Sequence, residues 1–427
     1  MRILYLHQQY SAPAGSIGTR SHALAAALAA AGHDVTLACG TYPGAESGLA
    51  GPFRNGRREG RSPAGFRIVQ FAAAGGNAAP LLARAAAFAR FAAATTPLAL
   101  GRWDGIIASS PPLSTAIPAL LARRLRGTPF LFEIRDPWPE LPRAMTRWLR
   151  ATGRGRGLPA PLLAAMEPLA TAACRQAAGV VALSEGMAAT ARARGADPAR
   201  VAVVPNGCDL GLFGPHVAPW RPAEAQPWEV LAIYAGAHGL ANGLDLVVEA
   251  ARLLAARGER RLRLLLVGEG AEKPRLLARA RALALPNLSF LPPMPKPELA
   301  RLFAGSQIGL HCLAPVPEFA EMTAPNKAMD YLAAGLPVVS PTAGALARLL
   351  AGPPPAGIAT PPGDAAALAD ALAALAAEPL RRQQMGRAAR RLAVARLDRR
   401  SQAARFVALA EAAFARPLCR PAEAPAA

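Results

Sequence analysis

This chain is short of acid, of aromatic rings and of paired cysteines. Its 28 Asp and Glu face 48 Lys and Arg, leaving a formal charge of +20. Such a balance suits an anionic partner, but an Ala/Arg/Pro-rich composition also follows from a GC-rich genome, so charge alone selects no ligand. Aromatics make up 5% of the residues; without an aromatic platform, a helix-turn-helix or a zinc signature, nucleic-acid binding is not expected. The five cysteines, at positions 39, 174, 208, 312 and 419, have no metal-ligand spacing and no even count, and they read as reduced thiols of a cytoplasmic protein. No Walker-type Gly-Lys-Ser/Thr, Cys-x-x-Cys pair or His-Glu-x-x-His helix occurs, and no metal site is expected. The one long apolar stretch, Ala78 to Leu100, is broken by Arg84 and Arg90. That argues against a spanning helix and leaves open a helix lying on a membrane surface. The N-terminal Met-Arg-Ile-Leu-Tyr-Leu reads as a first strand, not a signal peptide.

What is present is a folded chain of 427 residues, 52% apolar, with room for two domains. Short apolar runs alternate with Ala/Leu-rich helical stretches: strands at Ile3–Leu6, Asp34–Ala38, Phe66–Phe71, Gly105–Ala108, Pro129–Ile134, Val180–Leu183 and Val201–Val204, separated by helices. A second series begins at Val230–Tyr234 and continues through Leu262–Val267, Leu288–Leu291 and Ile308–Leu310. Strands alternating with helices of ten or more residues predict parallel sheets covered on both faces, here two consecutive Rossmann-like domains of the α/β class. The expected boundaries are 1–205 for the first domain, 206–228 for a Pro/Gly-rich linker and 229–397 for the second, with a helix at about 398–415 rejoining the first and a frayed tail at 422–427. Ligands of open parallel sheets bind beyond the carboxyl ends of the strands, which places a site in the cleft between the domains.

Six stretches at those ends are chemically loaded. Ala324 to Val339, read as a helix opened by Pro325 and stopped by Gly335, offers free N–H groups, Lys327 in its first turn and Asp330 one turn on. Amides and a cation favour an anion, and a carboxylate there can accept two sugar hydroxyls, which together suit a nucleotide sugar; an ordinary helix with solvated charges is the alternative. Gly15, Gly18, Thr19 and Arg20 lead into a first helix that can grip phosphate or sugar oxygens, or simply turn. Glu133, Arg135, Asp136 and Glu140 crowd a strand end beside Trp138, as acid, base or hydroxyl clamp, or as a plain ion pair. Gly236, His238, Gly239 and Gly243 suit a loop wrapped against a diphosphate, while Val267-Gly-Glu-Gly270 and Pro292-Pro-Met-Pro-Lys296 offer backbone groups to a base.

Gly18-Thr-Arg-Ser, Glu133-Ile-Arg-Asp-Pro-Trp-Pro, Pro205-Asn-Gly-Cys-Asp209, Tyr234-Ala-Gly-Ala-His-Gly and Pro325-Asn-Lys-Ala-Met-Asp-Tyr-Leu-Ala-Ala-Gly-Leu-Pro-Val, in this order, resemble the retaining GT-B glycosyltransferases of family four, the group-one enzymes. Among them the chain is most similar to polysaccharide and O-antigen enzymes such as N-acetyl-L-fucosamine transferases. The resemblance implies two Rossmann-like domains facing across a cleft, C-terminal helices crossing back to the first, and a hexose or N-acetylhexosamine carried from a UDP-linked donor to a polyprenyl-diphosphate-linked or other glycan acceptor. It implies no cofactor beyond the nucleotide sugar, no obligatory metal, and a cytoplasmic enzyme at the inner face of the plasma membrane.

Position by position, the resemblance implies donor contacts at Gly18, Gly236, His238, Gly239, Pro295, Asn326, Lys327 and Asp330, acceptor contacts at Arg20 and Arg135, and catalytic roles for Glu133, Asp136 and Glu318. The second motif glutamate of the family falls on Asp330, one methylene shorter. The first falls on Met322, leaving Glu318 or Glu321 as its substitute. The basic pair that many relatives place after the first strand of the second domain is replaced by His238 and Asn242, with Lys327 as the substitute charge. Nine arginines against three acids between Leu121 and Gly157, alongside Met145, Trp148 and Leu149, form either a peripheral membrane surface or a solvated face. A GT-B sugar-nucleotide epimerase and a nucleotide-sugar-binding protein with a degenerate site are the competing readings.

Overall fold

The structure is a computed structural model that describes residues 1–13, 15, 19–42, 44–74, 81–324 and 326–415. Gly18, Pro325 and the 422–427 tail therefore lie outside the described residues. The first half supplies strands β1 (Arg2–Leu6), β2 (Asp34–Thr41), β3 (Arg57–Arg61), β4 (Arg67–Ala74), β5 (Gly105–Ser110), β6 (Phe130–Ile134), β7 (Gly179–Ala182) and β8 (Val201–Val203). Its helices are α1 (Arg20–Ala30), α2 (Leu81–Ala99), α3 (Ala116–Arg126), α4 (Glu140–Ala151), α5 (Ala160–Gln176) and α6 (Glu185–Ala193). These strands form one sheet in the order β3-β4-β2-β1-β5-β6-β7-β8, parallel except for β3, which pairs antiparallel with β4. Strands such as Phe-Leu-Phe-Glu-Ile of β6 are buried along their whole length, as expected of a parallel sheet covered on both faces. Charged β3 escapes an apolar-run reading because it is an edge strand, where Arg side chains discourage further pairing.

The second half has β9 (Val230–Ala235), β10 (Leu262–Val267), β11 (Leu288–Leu291), β12 (Ile308–Leu310), β13 (Val338–Pro341) and β14 (Gly357–Thr360), all parallel in the order β11-β10-β9-β12-β13-β14. Around them lie α7 (Asp245–Ala256), α8 (Lys273–Ala282), α9 (Lys296–Ala304), α10 (Phe319–Met322), α11 (Asn326–Ala334), α12 (Gly344–Leu350) and α13 (Ala365–Ala377). Helix α11 ends at Gly335, whose φ of +78° suits the left-handed stop that only glycine adopts without strain.

Helix α14 (Pro379–Arg396) packs on α11, and α15 (Arg399–Ala415) returns to the first sheet. Phe406, Val407, Ala410 and Phe414 of α15 join Ile3, Tyr5, Leu24 and Leu28 in one apolar cluster. A methyl group on Gly105 would lie 2.4 Å from the Phe414 ring, so the strand is glycine where the returning helix presses on it. The two chain crossings between the halves are zipped together: Cys208 N–H donates to Leu397 O at 2.8 Å and Arg399 N–H to Cys208 O at 3.0 Å.

Candidate active site

The first sheet ends in a buried polar knot. Glu133, the one charged residue of β6, is fully buried. Its Oε1 accepts from Arg20 Nε at 2.8 Å and its Oε2 from Tyr5 Oη at 2.9 Å. Burial alone would raise the Glu133 carboxyl, but Arg20 and Arg135 beside it hold it down to about 2. Arg20 is itself spent: Nη1 donates to Pro205 O at 2.9 Å and Nη2 to Val204 O at 3.0 Å. Arg20 and Glu133 thus tie α1, β6 and the end of β8 together, and the acceptor and catalytic roles expected of them compete with these bonds. Beside this knot lie Arg135, whose Nη1 is 2.6 Å from His7 Nε2, and Asp136. The Asp136 carboxylate makes no hydrogen bond or ion pair among the described residues, and burial raises it above the ordinary aspartate range although Arg135 opposes the shift. His7 is buried and lowered to about 3 by desolvation and then by Arg135, so it is a neutral imidazole. No spacing rule singles out His7; only the fold brings it to Arg135.

Across the cleft, Lys327 sits in the first turn of α11. Its Nζ donates to Tyr234 Oη at 2.8 Å and Asn242 Oδ1 at 3.0 Å, and lies 4.4 Å from the centre of the Tyr234 ring. All three partners are neutral, and Lys327 has no carboxylate partner among the described residues. Burial lowers its ammonium to about 8. Gly236 must lack a side chain because a methyl group there would lie 2.8 Å from Lys327 Cε, and the two glycine loops are pressed together so that one on Gly268 would lie 2.0 Å from Gly236 O. The cost of this packing is that Gly236 N–H donates to Val267 O and His238 N–H to Glu269 O, so neither is free for a phosphate.

His238, expected to touch a diphosphate, is instead fully buried between the Tyr234 and Phe290 rings and lowered to about 4, by burial and then by Lys273. It braces the loop and does not open on the cleft; Gly236 and Gly239 are partly exposed there. Asp330 is buried and accepts from Lys296 Nζ at 2.6 Å. Lys296 follows Pro295 at the start of α9; the loop was legible, but nothing local shows that its lysine rather than its proline reaches Asp330.

Between these two faces lies a cavity of about 20 Å³ lined by Thr19, Arg20, Lys296, Asn326, Asp330 and Arg399, among others. It brings together the starts of α1 and α11, and Arg399 reaches it from the second crossing, where its Nη1 donates to Thr19 Oγ1 at 3.1 Å. The halves also touch at α4, whose Leu141, Ala144, Met145 and Trp148 pack on Leu313, Ala314, Val316, Phe319 and Met322. Arg147 pairs with Glu318, and Arg143 with Glu167. Glu318 is thus engaged by the first domain and not by a free sugar pocket, and Glu321 is held by Arg348 at 2.7 Å. The apolar side of α4 expected to face lipid is covered by the second half of the chain.

If Arg20 is structural, Arg20→Ala leaves buried Glu133 without its hydrogen-bonded counter-charge, with Arg135 alone nearby, and destabilises the fold by about 3 kcal/mol, read by urea denaturation. Because the Glu133 carboxyl is depressed in the folded state, its contribution is present above the unfolded pKa of about 4.5 and is lost as pH falls through about 2. The wild-type and variant stabilities therefore converge in that acid window.

The glycosyl transferase 4-like domain family matches residues 15–207, and the glycosyl transferases group 1 family matches residues 229–378. D-inositol 3-phosphate glycosyltransferase of Kribbella flavida is 32% identical over 206 residues, 46% of this chain and 47% of that protein. The match thus spans about half the length of that curated relative. Sucrose-phosphate synthase of Thermosynechococcus elongatus superposes with a TM-score of 0.75 at 20% identity, covering 97% of this chain and 99% of its own. HepE of Anabaena, solved with UDP and glucose, superposes at 0.66 with 16% identity, covering 96% and 98%. With one family domain in each half and a GT-B fold throughout, this protein belongs to the group 1, family four glycosyltransferases.

Proposed function

We propose that the protein transfers a hexose or N-acetylhexosamine from a UDP-linked sugar, with retention at the anomeric carbon, to a lipid-linked or other glycan acceptor in cell-surface polysaccharide synthesis of the O-antigen type. The observation that carries this reading is Lys327, a cation at the mouth of a helix N-terminus held only by neutral groups. A charge kept in place with no counter-charge is prepared for an anion that arrives with a ligand. The HepE structure with UDP and glucose supports uridine diphosphate as that anion.

In this reading Lys327 and the first amides of α11 take the diphosphate, and Asp330, steadied by Lys296, accepts the ribose hydroxyls. As the sugar–oxygen bond breaks, the sugar becomes oxocarbenium-like and negative charge grows on the leaving diphosphate. Fixed donors in a site shielded from water stabilise that charge more than the ground state, and the barrier falls accordingly. Asp136 and Arg135, facing from the first sheet, position the acceptor. Glu318 takes part at the sugar only when it leaves Arg147.

Lys327→Ala is expected to weaken UDP binding about ten- to hundredfold in calorimetry, the range for losing one charge-assisted hydrogen bond. UDP prefers protonated Lys327, so wild-type affinity falls as pH rises past about 8, where the free site loses its proton, and Lys327→Gln flattens that profile. Wild-type affinity for a Lys327→Ala protein contradicts the assignment. UDP-sugar incubated without acceptor is expected to return unchanged; an isomerised sugar nucleotide would support an epimerase.

A further inference from the structure

Asn206, in the motif Pro205-Asn-Gly-Cys-Asp209 that follows β8, is 3% exposed, and its Nδ2 crosses to the second half of the chain to donate to Ala324 O at 2.7 Å. A carbonyl oxygen only accepts, so the amide has to turn its nitrogen that way. It does so although Oδ1 is left buried without a partner among the described residues. Ser184 makes a second crossing: its Oγ caps α6 by accepting from Met187 N–H at 3.3 Å, which leaves its own proton for Glu321 O at 2.7 Å. A methyl group on Gly186 would lie 2.4 Å from the same Glu321 O, so only glycine lets α6 start this close. Ala324 completes the fit by packing on an apolar cluster of the first domain. From its own domain the stretch is held by the Arg348 pair of Glu321, which is exposed on both sides and contributes little.

Three positions of the first domain are therefore shaped to residues 321–324, the stretch that leads from α10 into α11, and Lys327 comes three residues after Ala324. We propose that Asn206 and Ser184 are positioning residues for the diphosphate site. By holding the Ala324 and Glu321 carbonyls they fix the entry of α11, and with it the first amides of that helix and Lys327. The second domain supplies the groups that meet the anion, and the first domain sets where they stand. Donors fixed before the ligand arrives lose little freedom on binding, which raises affinity without adding a contact. This role rests on the assignment of the diphosphate to Lys327.

Hydrogen exchange and UDP calorimetry on the full chain test it with Asn206→Ala and Ser184→Gly; glycine keeps most of the α6 cap while removing the donor. Each variant is expected to speed exchange across α11, which reads local opening, and to weaken UDP about three- to tenfold, the range for one lost hydrogen bond. Added to Lys327→Ala, Asn206→Ala is expected to weaken UDP by less than it does alone, because the two act at one site. A merely structural role lowers stability in urea and leaves UDP affinity where it was. Unchanged exchange across α11, full additivity with Lys327→Ala, or wild-type UDP affinity in both variants while Lys327→Ala loses it, overturns the inference and leaves the diphosphate assignment standing. Wild-type affinity in Lys327→Ala strikes that assignment and the inference with it.

Discussion

A charge taken out of water needs a partner within a few ångströms, and this molecule is organised around where that demand is met and where it is not. Glu133 meets it completely: Arg20 and Tyr5 occupy its oxygens, and Arg20 passes the restraint on to the chain at Val204 and Pro205. The ends of β1, β6 and β8 and the start of α1 are fixed as one block. Lys327 meets it only with neutral oxygens and a ring face. The contrast separates a charge that a counter-charge neutralises from one that no carboxylate among the described residues meets.

The same constraint bears on how the halves meet. The cavity of about 20 Å³ beside Asp330 admits roughly one water. The crossings at Cys208 and Leu397–Arg399 are bonded to each other. On the far side, α4 and the Arg147–Glu318 pair tie the two halves together.

Much of this was legible in the residues. The alternation of apolar strands with long Ala/Leu helices leads to two parallel sheets, and the Asn-Lys-Ala-Met-Asp run places a cation and a carboxylate one turn apart on α11. What local pattern cannot supply is which long-range partner a charge finds. Arg20 and Glu133 lie 113 residues apart and consume each other. His238 stands in a glycine loop that invites a phosphate, yet the press of Gly236 against Gly268 turns its ring inward between Tyr234 and Phe290. Of the Leu121 to Gly157 stretch that reads as a lipid surface, the second half of the chain covers Met145 and Trp148 on α4, while Leu121 and Leu125 on α3 stay exposed. Lys296 and Arg399 come to the site from α9 and the second crossing by topology alone.

The most direct test of the account is a crystal structure with UDP bound. The diphosphate is expected within hydrogen-bond distance of Lys327 Nζ at the start of α11, with the ribose on Asp330 and Glu133 still sealed by Arg20. A diphosphate bound elsewhere, with Lys327 still held by Tyr234 and Asn242 alone, would contradict it.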